Sequence, residues 1–346
     1  MIRVAINGFG RIGRVALRVA LTKYLDKVKM VVINTSGSMD IEGWAYLLEY
    51  DSVYGKFKGK VEIEKSLSAS RWSEGGEIGV LIVNHQRIPV LAQREPKKIP
   101  WKKYQVDVVI ESTGVFRDRQ SASAHLEGGA KKVIISAPAE KVKTFVMGVN
   151  EDSYQDSLIV DNASCTTNCV APVTKVMMEN FGVQKASLST IHAYTADQSL
   201  VDSSHRDLRR ARAAAVNIVL TSTGADEATI EVIPTLKGLF DGLAYRVPVV
   251  CGSVVDLAFV TAKRTTVEEV NKVFKKAAQG KHRGIIEASN KPLVSSDVIG
   301  NSASAVVDLG LTQVIDGDLV RIVAWYDNEW AYCCRLMELA LWINQK

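Results

Sequence analysis

Apolar residues in this chain come in short bursts separated by polar, glycine-marked breaks, and the spacing inside each burst separates strand from helix. Residues Ile2–Asn7 form an almost unbroken apolar run of strand length that leads directly into Gly8-Phe9-Gly10-Arg11-Ile12-Gly13. From 11 to 21 the apolar positions recur at helical spacing, and 29–34 is a second apolar strand, which completes a β-α-β unit. The alternation continues with a strand at 106–112, a helix at 122–128 and a strand at 132–136, so residues 1 to about 164 predict a parallel sheet with helices on its faces. Residues 55–93 interrupt this rhythm and read as antiparallel ribbon, with a polar loop from Ser66 to Gly76. Further on, 185–192, 243–248, 253–261 and 319–325 are strand patterns without regular helical crossovers, which predicts a second, largely antiparallel sheet. An amphipathic helix is expected over 266–279, capped by Thr265 or Thr266, and a final helix over 328–344.

A length of 346 residues suits two domains, each with its own core. With 47% hydrophobic and 23% charged residues the chain reads as globular rather than disordered. No apolar run reaches membrane-spanning length and the first strand begins at once, leaving no room for a presequence, so a cytoplasmic protein is expected. Five cysteines fit a reducing compartment better than a disulfide framework. Neither the Cys165/Cys169 spacing nor the adjacent Cys333 and Cys334 makes a metal site without further ligands, and none is expected. The net charge of +5 suits anionic substrates as readily as nucleic acid.

Two segments carry candidate chemistry. Asn162-Ala163-Ser164-Cys165-Thr166-Thr167-Asn168-Cys169 is a small-residue turn that exposes one cysteine where a helix begins, and His192 stands on a later strand. An inert core cysteine would have apolar neighbours; this one has hydroxyls and an amide. A thiolate at a helix N-terminus is favoured by the unpaired N–H groups and the macrodipole, and a neighbouring imidazole lowers its pKa further, which suits covalent catalysis. The second segment is the glycine run after the first strand. It matches G-x-G-x-x-G between a strand and a helix, where bare backbone can approach a pyrophosphate.

Together these segments resemble phosphorylating glyceraldehyde-3-phosphate dehydrogenases, almost from end to end. The most specific pieces are Ala163-Ser164-Cys165-Thr166-Thr167-Asn168-Cys169, Asp207-Leu208-Arg209-Arg210-Ala211-Arg212-Ala213-Ala214, Thr221-Ser222-Thr223-Gly224-Ala225, Tyr245-Arg246-Val247-Pro248 and Trp325-Tyr326-Asp327-Asn328-Glu329-Trp330, in the family's order. The resemblance implies an α/β and α+β chain: a Rossmann-type parallel-sheet dinucleotide-binding domain over 1–164 and 328–346, and a mainly antiparallel-sheet catalytic domain over 165–327. It implies oxidation of D-glyceraldehyde 3-phosphate to 1,3-bisphosphoglycerate, the reaction shared by glycolysis, gluconeogenesis and carbon fixation. Cys165 would form the thiohemiacetal and then the thioester, and His192 would act as base. The substrate's phosphate would lie at Thr195, Asp197 and Arg246, the attacking phosphate at Ser164, Thr166, Thr223, Gly224 and either Arg209 or Arg210. The cofactor would meet Asn7, Gly8, Gly10, Arg11, Ile12, Gly13, Asn34, Thr35, Ser36, Arg94, Ser112, Thr113, Gly114 and Ser136, with Asn328 orienting the nicotinamide carboxamide. The other histidines, at 85, 125, 205 and 282, read as surface residues.

Cofactor choice turns on Thr35, which stands where the family usually has an aspartate that would repel a 2′-phosphate. Asp202-Ser203-Ser204-His205 resembles the serine-bearing loop of the NADP-using, chloroplast-type members, and Arg94 adds charge. NADP is therefore expected to be preferred, with NAD the alternative. The family assembles as a homotetramer in which Ser203 and Ser204 would reach a neighbour's cofactor. Two departures stand out: Asp226-Glu227 where the family usually carries Ala-Lys, and Val249-Val250-Cys251-Gly252 after the Arg-Val-Pro run. The nearest rival is erythrose-4-phosphate dehydrogenase, which usually lacks the counterparts of Thr195 and Thr223-Gly224. A fold-retaining RNA-binding or redox-sensing protein is a rival from another class, but the basic stretch 206–212 has no interleaved aromatics for base stacking.

Overall fold

The computed structural model describes residues 1–66 and 76–346; most of the polar loop between Ser66 and Gly76 lies outside the described residues. The chain divides into two compact units, Met1–Phe145 with Glu151–Asn162 and Cys333–Lys346, and Val146–Asn150 with Ala163–Tyr332.

The first unit begins β1 (Ile2–Asn7), α1 (Arg11–Lys23), β2 (Val28–Thr35), α2 (Ile41–Glu49), β3 (Val61–Lys65), β4 (Gly76–Val83) and β5 (Gln86–Ala92). It continues β6 (Val108–Glu111), α3 (Arg119–Glu127), β7 (Lys132–Ile135), β8 (Lys143–Thr144) and β9 (Ile159–Asp161). Among the described residues these strands form one sheet in the order β3-β4-β5-β2-β1-β6-β7-β9-β8. The antiparallel ribbon read from 55–93 is β3-β4-β5, in which β4 pairs antiparallel with both neighbours, and β5 also joins β2 in parallel, so the ribbon extends the main sheet. Val4, Ala5 and Ile6 of β1 are fully buried, because a parallel strand covered on both faces reads as a continuous apolar run. Since β2 and β6 flank β1 on opposite sides, the strand order reverses there, and the carboxyl ends of these strands are where such a sheet binds ligands.

The second unit contains α4 (Cys165–Phe181), β10 (Val183–Ala193), β11 (Val219–Thr221), α5 (Ala225–Val232), β12 (Phe240–Val247) and β13 (Ser253–Thr261). After α6 (Val267–Gln279) come β14 (Ile286–Ser289), β15 (Ala305–Asp308), β16 (Gln313–Ile315), β17 (Leu319–Tyr326) and α7 (Trp330–Gln345), whose residues from Cys333 belong to the first unit. The sheet order is β11-β12-β10-β13-β17-β15-β14, with β16 beside β17. Most pairings are antiparallel, but β10 with β12 and β14 with β15 are parallel. Buried and half-buried positions alternate along β13, as expected for a sheet with one covered face. Val255, Leu257 and Phe259 pack there with Val170, Val173 and Met177 of α4. Thr266 rather than Thr265 caps α6, in a capping box with Glu269.

The reading of four surface histidines needs correction. His85 is exposed and His205 half-buried, but His125 and His282 are buried. Helix α3 turns His125 inward between Trp101 and Glu111, where both ring nitrogens find partners.

Candidate active site

Cys165 opens α4 directly after Ala163, whose φ of 54° is a left-handed conformation uncommon for a residue with a side chain. Tyr332 holds that turn by donating its hydroxyl to the Ala163 carbonyl at 3.0 Å. Ser164 caps the helix, its Oγ accepting from the Thr167 N–H at 3.0 Å, an arrangement worth about 1 kcal/mol to a helix. His192, near the end of β10, brings Nε2 to 3.3 Å from Cys165 Sγ. Sheet register places Arg246 of β12 directly beside His192, and its Nη1 lies 2.7 Å from His192 Nδ1.

Nδ1 is also 2.6 Å from the Ala193 carbonyl, and it cannot serve both partners. Donating to Ala193 leaves Nε2 as an acceptor facing the thiol; accepting from Arg246 moves the imidazole proton to Nε2. Arg246 thereby acts on the tautomer of the candidate base. Burial, then the Arg246 charge, pushes His192 down to about 3, so the ring is neutral. Burial pushes the Cys165 thiol up, although some of its surface stays accessible, against the lowering effect of Arg246 and hydrogen bonds from Thr166. Burial thus works against the thiolate that a helix N-terminus favours, while Arg246 and the Thr166 hydrogen bonds work for it, and the imidazole facing the sulfur is neutral. Tyr326, assigned no role from sequence, links Thr166 and Thr190 through its hydroxyl at 2.9 and 3.0 Å and sets its ring edgewise to His192. Burial pushes its own pKa up, so it stays a neutral phenol.

The candidate anion groups divide differently from the sequence reading. Arg210, not Arg209, turns toward Thr195 and Asp197: its Nη1 donates to Asp197 Oδ2 at 2.5 Å and its Nε to Thr221 Oγ1 at 3.0 Å. Arg209 is exposed and borders a separate surface depression with Arg212 and Asn217. Asp197 resists the raising effect of burial because Thr195, Arg210 and Arg246 together hold its carboxyl below the usual range. An ionised carboxylate only accepts hydrogen bonds, so Asp197 orients Thr195 and Arg210 and does not itself bind a phosphate. The Thr195 hydroxyl is engaged by Asp197 and its N–H by Gln198 Oε1. Thr223 and Gly224 precede α5, where the Thr223 hydroxyl accepts from the Ala225 N–H at 3.1 Å and space beside Gly224 is open. Asp226 sits in that first helical turn with Oδ1 buried and unpaired, and burial pushes its carboxyl up.

Asn328 is buried, its Oδ1 accepting from the Gly252 N–H at 3.1 Å and the Ser253 hydroxyl at 3.0 Å, which leaves its amide NH2 as the group to present. Gly252, in the second departure, has φ of 86° and backbone 2.2 Å from where a Cβ would sit, so that stretch is a packing feature. Ser203 and Ser204 are exposed in the irregular segment before β11, with Ser203 Oγ 2.8 Å from Ser199 Oγ.

In the first unit the glycine cradle fits a dinucleotide. A Cβ on Gly8 would stand 2.6 Å from the Thr113 nitrogen, one on Gly13 2.1 Å from the Gly8 carbonyl, while Gly10 has nothing within 4 Å. The backbone is therefore closed beneath and open above the start of α1, whose N-cap Gly10 makes no side-chain cap, so its first N–H groups face outward. Arg11 and Ile12 contribute such N–H groups; the Arg11 guanidinium itself pairs with Asp51. Ser112 donates its hydroxyl to the Gly8 carbonyl at 2.7 Å, and Thr113 and Gly114 are exposed beyond β6. The Ser136 N–H pairs with the Glu111 carbonyl at 2.9 Å at the matching end of β7. Asn34 is buried, and its side-chain amide bridges Asn7 and the Gln93 backbone. Thr35 is buried too, donating to the Leu91 carbonyl at 3.1 Å, so the exposed hydroxyl after β2 belongs to Ser36, joined to Ser38 at 3.0 Å. Arg94 lines a cleft of about 520 Å³ with Lys97 and Phe116, two residues that sequence reasoning missed. A cation shortly after β5 and an aromatic shortly after β6 were their only signal.

Comparison with known proteins bears on these groups. Residues 2–119 match the family model described as glyceraldehyde 3-phosphate dehydrogenase, NAD binding domain, and 164–328 match its C-terminal domain. The chain is 47% identical to glyceraldehyde-3-phosphate dehydrogenase 2 of a Nostoc species, across 100% of this chain and 99% of that protein. It is 46% identical to glyceraldehyde-3-phosphate dehydrogenase 2 of Streptomyces avermitilis, with the same coverage. Against the chloroplastic glyceraldehyde-3-phosphate dehydrogenase GAPB of Arabidopsis thaliana the identity is 47%, across 100% of this chain and 75% of that one.

Proposed function

The chain belongs to the glyceraldehyde-3-phosphate dehydrogenase family of NAD(P)-dependent oxidoreductases, and on that premise we propose that it oxidises D-glyceraldehyde 3-phosphate to 1,3-bisphosphoglycerate, and the reverse, with NADP preferred. The observation that carries the reading is the Cys165 thiol at the start of α4, 3.3 Å from the His192 imidazole, with Arg246 on its far nitrogen.

Arg246 is the permanent cation for the substrate's phosphate. When it turns to that anion, His192 Nδ1–H is left to the Ala193 carbonyl and Nε2 becomes the acceptor. Cys165 gives its proton to Nε2, and Nε2 passes it on to the carbonyl oxygen as sulfur bonds the aldehyde carbon, forming a thiohemiacetal and leaving His192 neutral again. His192 then takes the hydroxyl proton as the carbon is oxidised to a thioester. A bound nicotinamide, with Asn328 presenting its NH2 to the carboxamide, supplies the two-electron acceptor. Inorganic phosphate, held by Arg210, Thr223 and the α5 N-terminus, attacks the thioester and releases Cys165. A thioester retains the oxidation free energy that an oxygen ester would lose. Asp226 and Glu227 weaken the local positive potential and are expected to make phosphate affinity modest.

NADP preference is supported by Thr35 in place of a carboxylate, by the Ser36 hydroxyl, and by Arg94 with Lys97 in the neighbouring cleft. A cytoplasmic setting is supported by five free cysteines. The test is reduction of NADP and of NAD by purified protein with the aldehyde phosphate, with and without inorganic phosphate. Phosphate-dependent turnover with higher kcat/KM for NADP is expected. Equal rates without phosphate would favour hydrolytic chemistry of the erythrose-4-phosphate dehydrogenase kind, and a large NAD preference would end the cofactor reading.

A further inference from the structure

Glu111 is among the buried ionisable groups that the mechanism leaves unused. Glu111 ends β6 with 2% of its surface exposed and faces no lysine or arginine among its hydrogen-bond partners. A buried carboxylate is tolerated only when donors replace its water, and here four do. Oε1 accepts from the Thr113 N–H at 2.8 Å and from the Thr113 hydroxyl; Oε2 accepts from Asn7 Nδ2 at 2.5 Å and from His125 Nε2 at 2.9 Å. The His125 tautomer is fixed from behind: the Trp101 indole N–H only donates, and it lies 3.1 Å from Nδ1, so the proton is on Nε2. The Asn7 amide is oriented in the same way, because Asn34 Nδ2 donates to its Oδ1 at 2.7 Å.

This chain of bonds ties together the strand ends that shape the dinucleotide cradle. Asn7 leads into Gly8, Thr113 is the backbone against which Gly8 is wedged, and Asn34 holds the end of β2 against Gln93. We propose that Glu111, fixed by His125, is a positioning residue for dinucleotide binding that sets the spacing of the Gly8 and Thr113 loops. It touches neither substrate nor cofactor; it acts through Asn7 and Thr113. The proposal rests on the dinucleotide part of the family reading only, not on the aldehyde chemistry. Replacing Glu111 with Gln keeps its shape but turns an N–H2 toward two donors or disturbs the Thr113 pair, and no rotation of the amide satisfies all four.

The test compares Glu111→Gln, His125→Leu and His125→Gln with wild type. It measures the Kd of NADP and of NAD by calorimetry without aldehyde, KM for cofactor and for aldehyde, and the rate of Cys165 alkylation. Glu111→Gln and His125→Leu should raise both cofactor Kd values about ten- to hundredfold, the loss of a buried charged hydrogen bond. KM for aldehyde and Cys165 alkylation should stay within about twofold. His125→Gln, which can accept from Trp101 and donate to Glu111, should recover most of the affinity. Wild-type Kd in both disruptive variants would overturn the proposal, as would a loss shared equally by cofactor, aldehyde and alkylation. If Glu111→Gln does not fold, the His125 pair decides alone. Because Kd is read without aldehyde, failure of the proposed reaction leaves this test intact.

Discussion

His192 is held neutral by burial and by the Arg246 guanidinium, and that has a thermodynamic consequence at the scale of one residue. Unfolded, its pKa is about 6.5; folded, it lies near 3. Between those values the unfolded chain binds the extra proton, so this residue's contribution to stability falls as pH drops below about 6.5, at up to about 1.4 kcal/mol per pH unit. From pH 7 to pH 5 the urea-unfolding free energy of wild type should therefore fall by about 2 kcal/mol more than that of His192→Gln. An equal fall in both proteins would mean the ring is solvated or charged in the fold. Cys165 stood out in the sequence because hydroxyls and an amide surround it where an inert core would be apolar, and His192 by its place on a later strand and the family resemblance. Their proton balance was not legible, because it depends on Arg246, 54 positions from His192, arriving by sheet register. The choice between Arg209 and Arg210 was equally hidden, since an irregular segment has no periodicity to assign faces. Glu111 did leave a trace, as an acid closing the apolar run Val108-Val109-Ile110; its partner His125 left none within a polar helix.

At the scale of elements, the three glycines before and within α1 have separable duties. Gly8 has φ of 95° and no room for a Cβ, so Gly8→Ala strains the backbone and displaces Thr113. Gly10 lies in an ordinary region, φ −69°, with open space around it. Gly10→Ala should leave Tm within about 2 °C, as expected for a change near ±0.5 kcal/mol, yet raise the cofactor Kd at least about tenfold by filling the space a pyrophosphate needs. Gly8→Ala should lower Tm clearly in thermal melts without cofactor. Equal Tm losses in the two variants would show that the open space above Gly10 is structural. Strand and helix periodicity made the longer elements readable, to within a few residues at their ends, but α2, α5 and the short strands β8, β9, β11, β14, β15 and β16 were not read from it. The overall direction of each sheet was readable from whether helices lie between its strands, but the two parallel pairs inside the second sheet were not, because a period of two carries no sign. The parallel pairing of β10 with β12 follows instead from the α5-containing connection between them, and that pairing sets His192 beside Arg246.

For the whole molecule, the informative surface is the stretch from Leu200 to Ile218. Leu200, Val201, Leu208, Val216 and Ile218 each expose two-thirds or more of their surface, a run of bare aliphatics that a monomer would pay to solvate. We read a second copy of the chain as the covering partner, the homo-oligomer expected from the sequence. Ser203 and Ser204 lie in the same stretch, so assembly and NADP preference should fail together if those hydroxyls serve a neighbouring chain's cofactor. Leu208→Asp combined with Ile218→Asp should shift sedimentation from a multimer to smaller species and bring the kcat/KM ratio for NADP over NAD toward one. A wild-type chain that sediments as an active monomer would remove the interface. A dissociated variant that keeps its NADP preference would instead place that preference in its own Ser36 and Arg94, because no neighbour would remain to supply it.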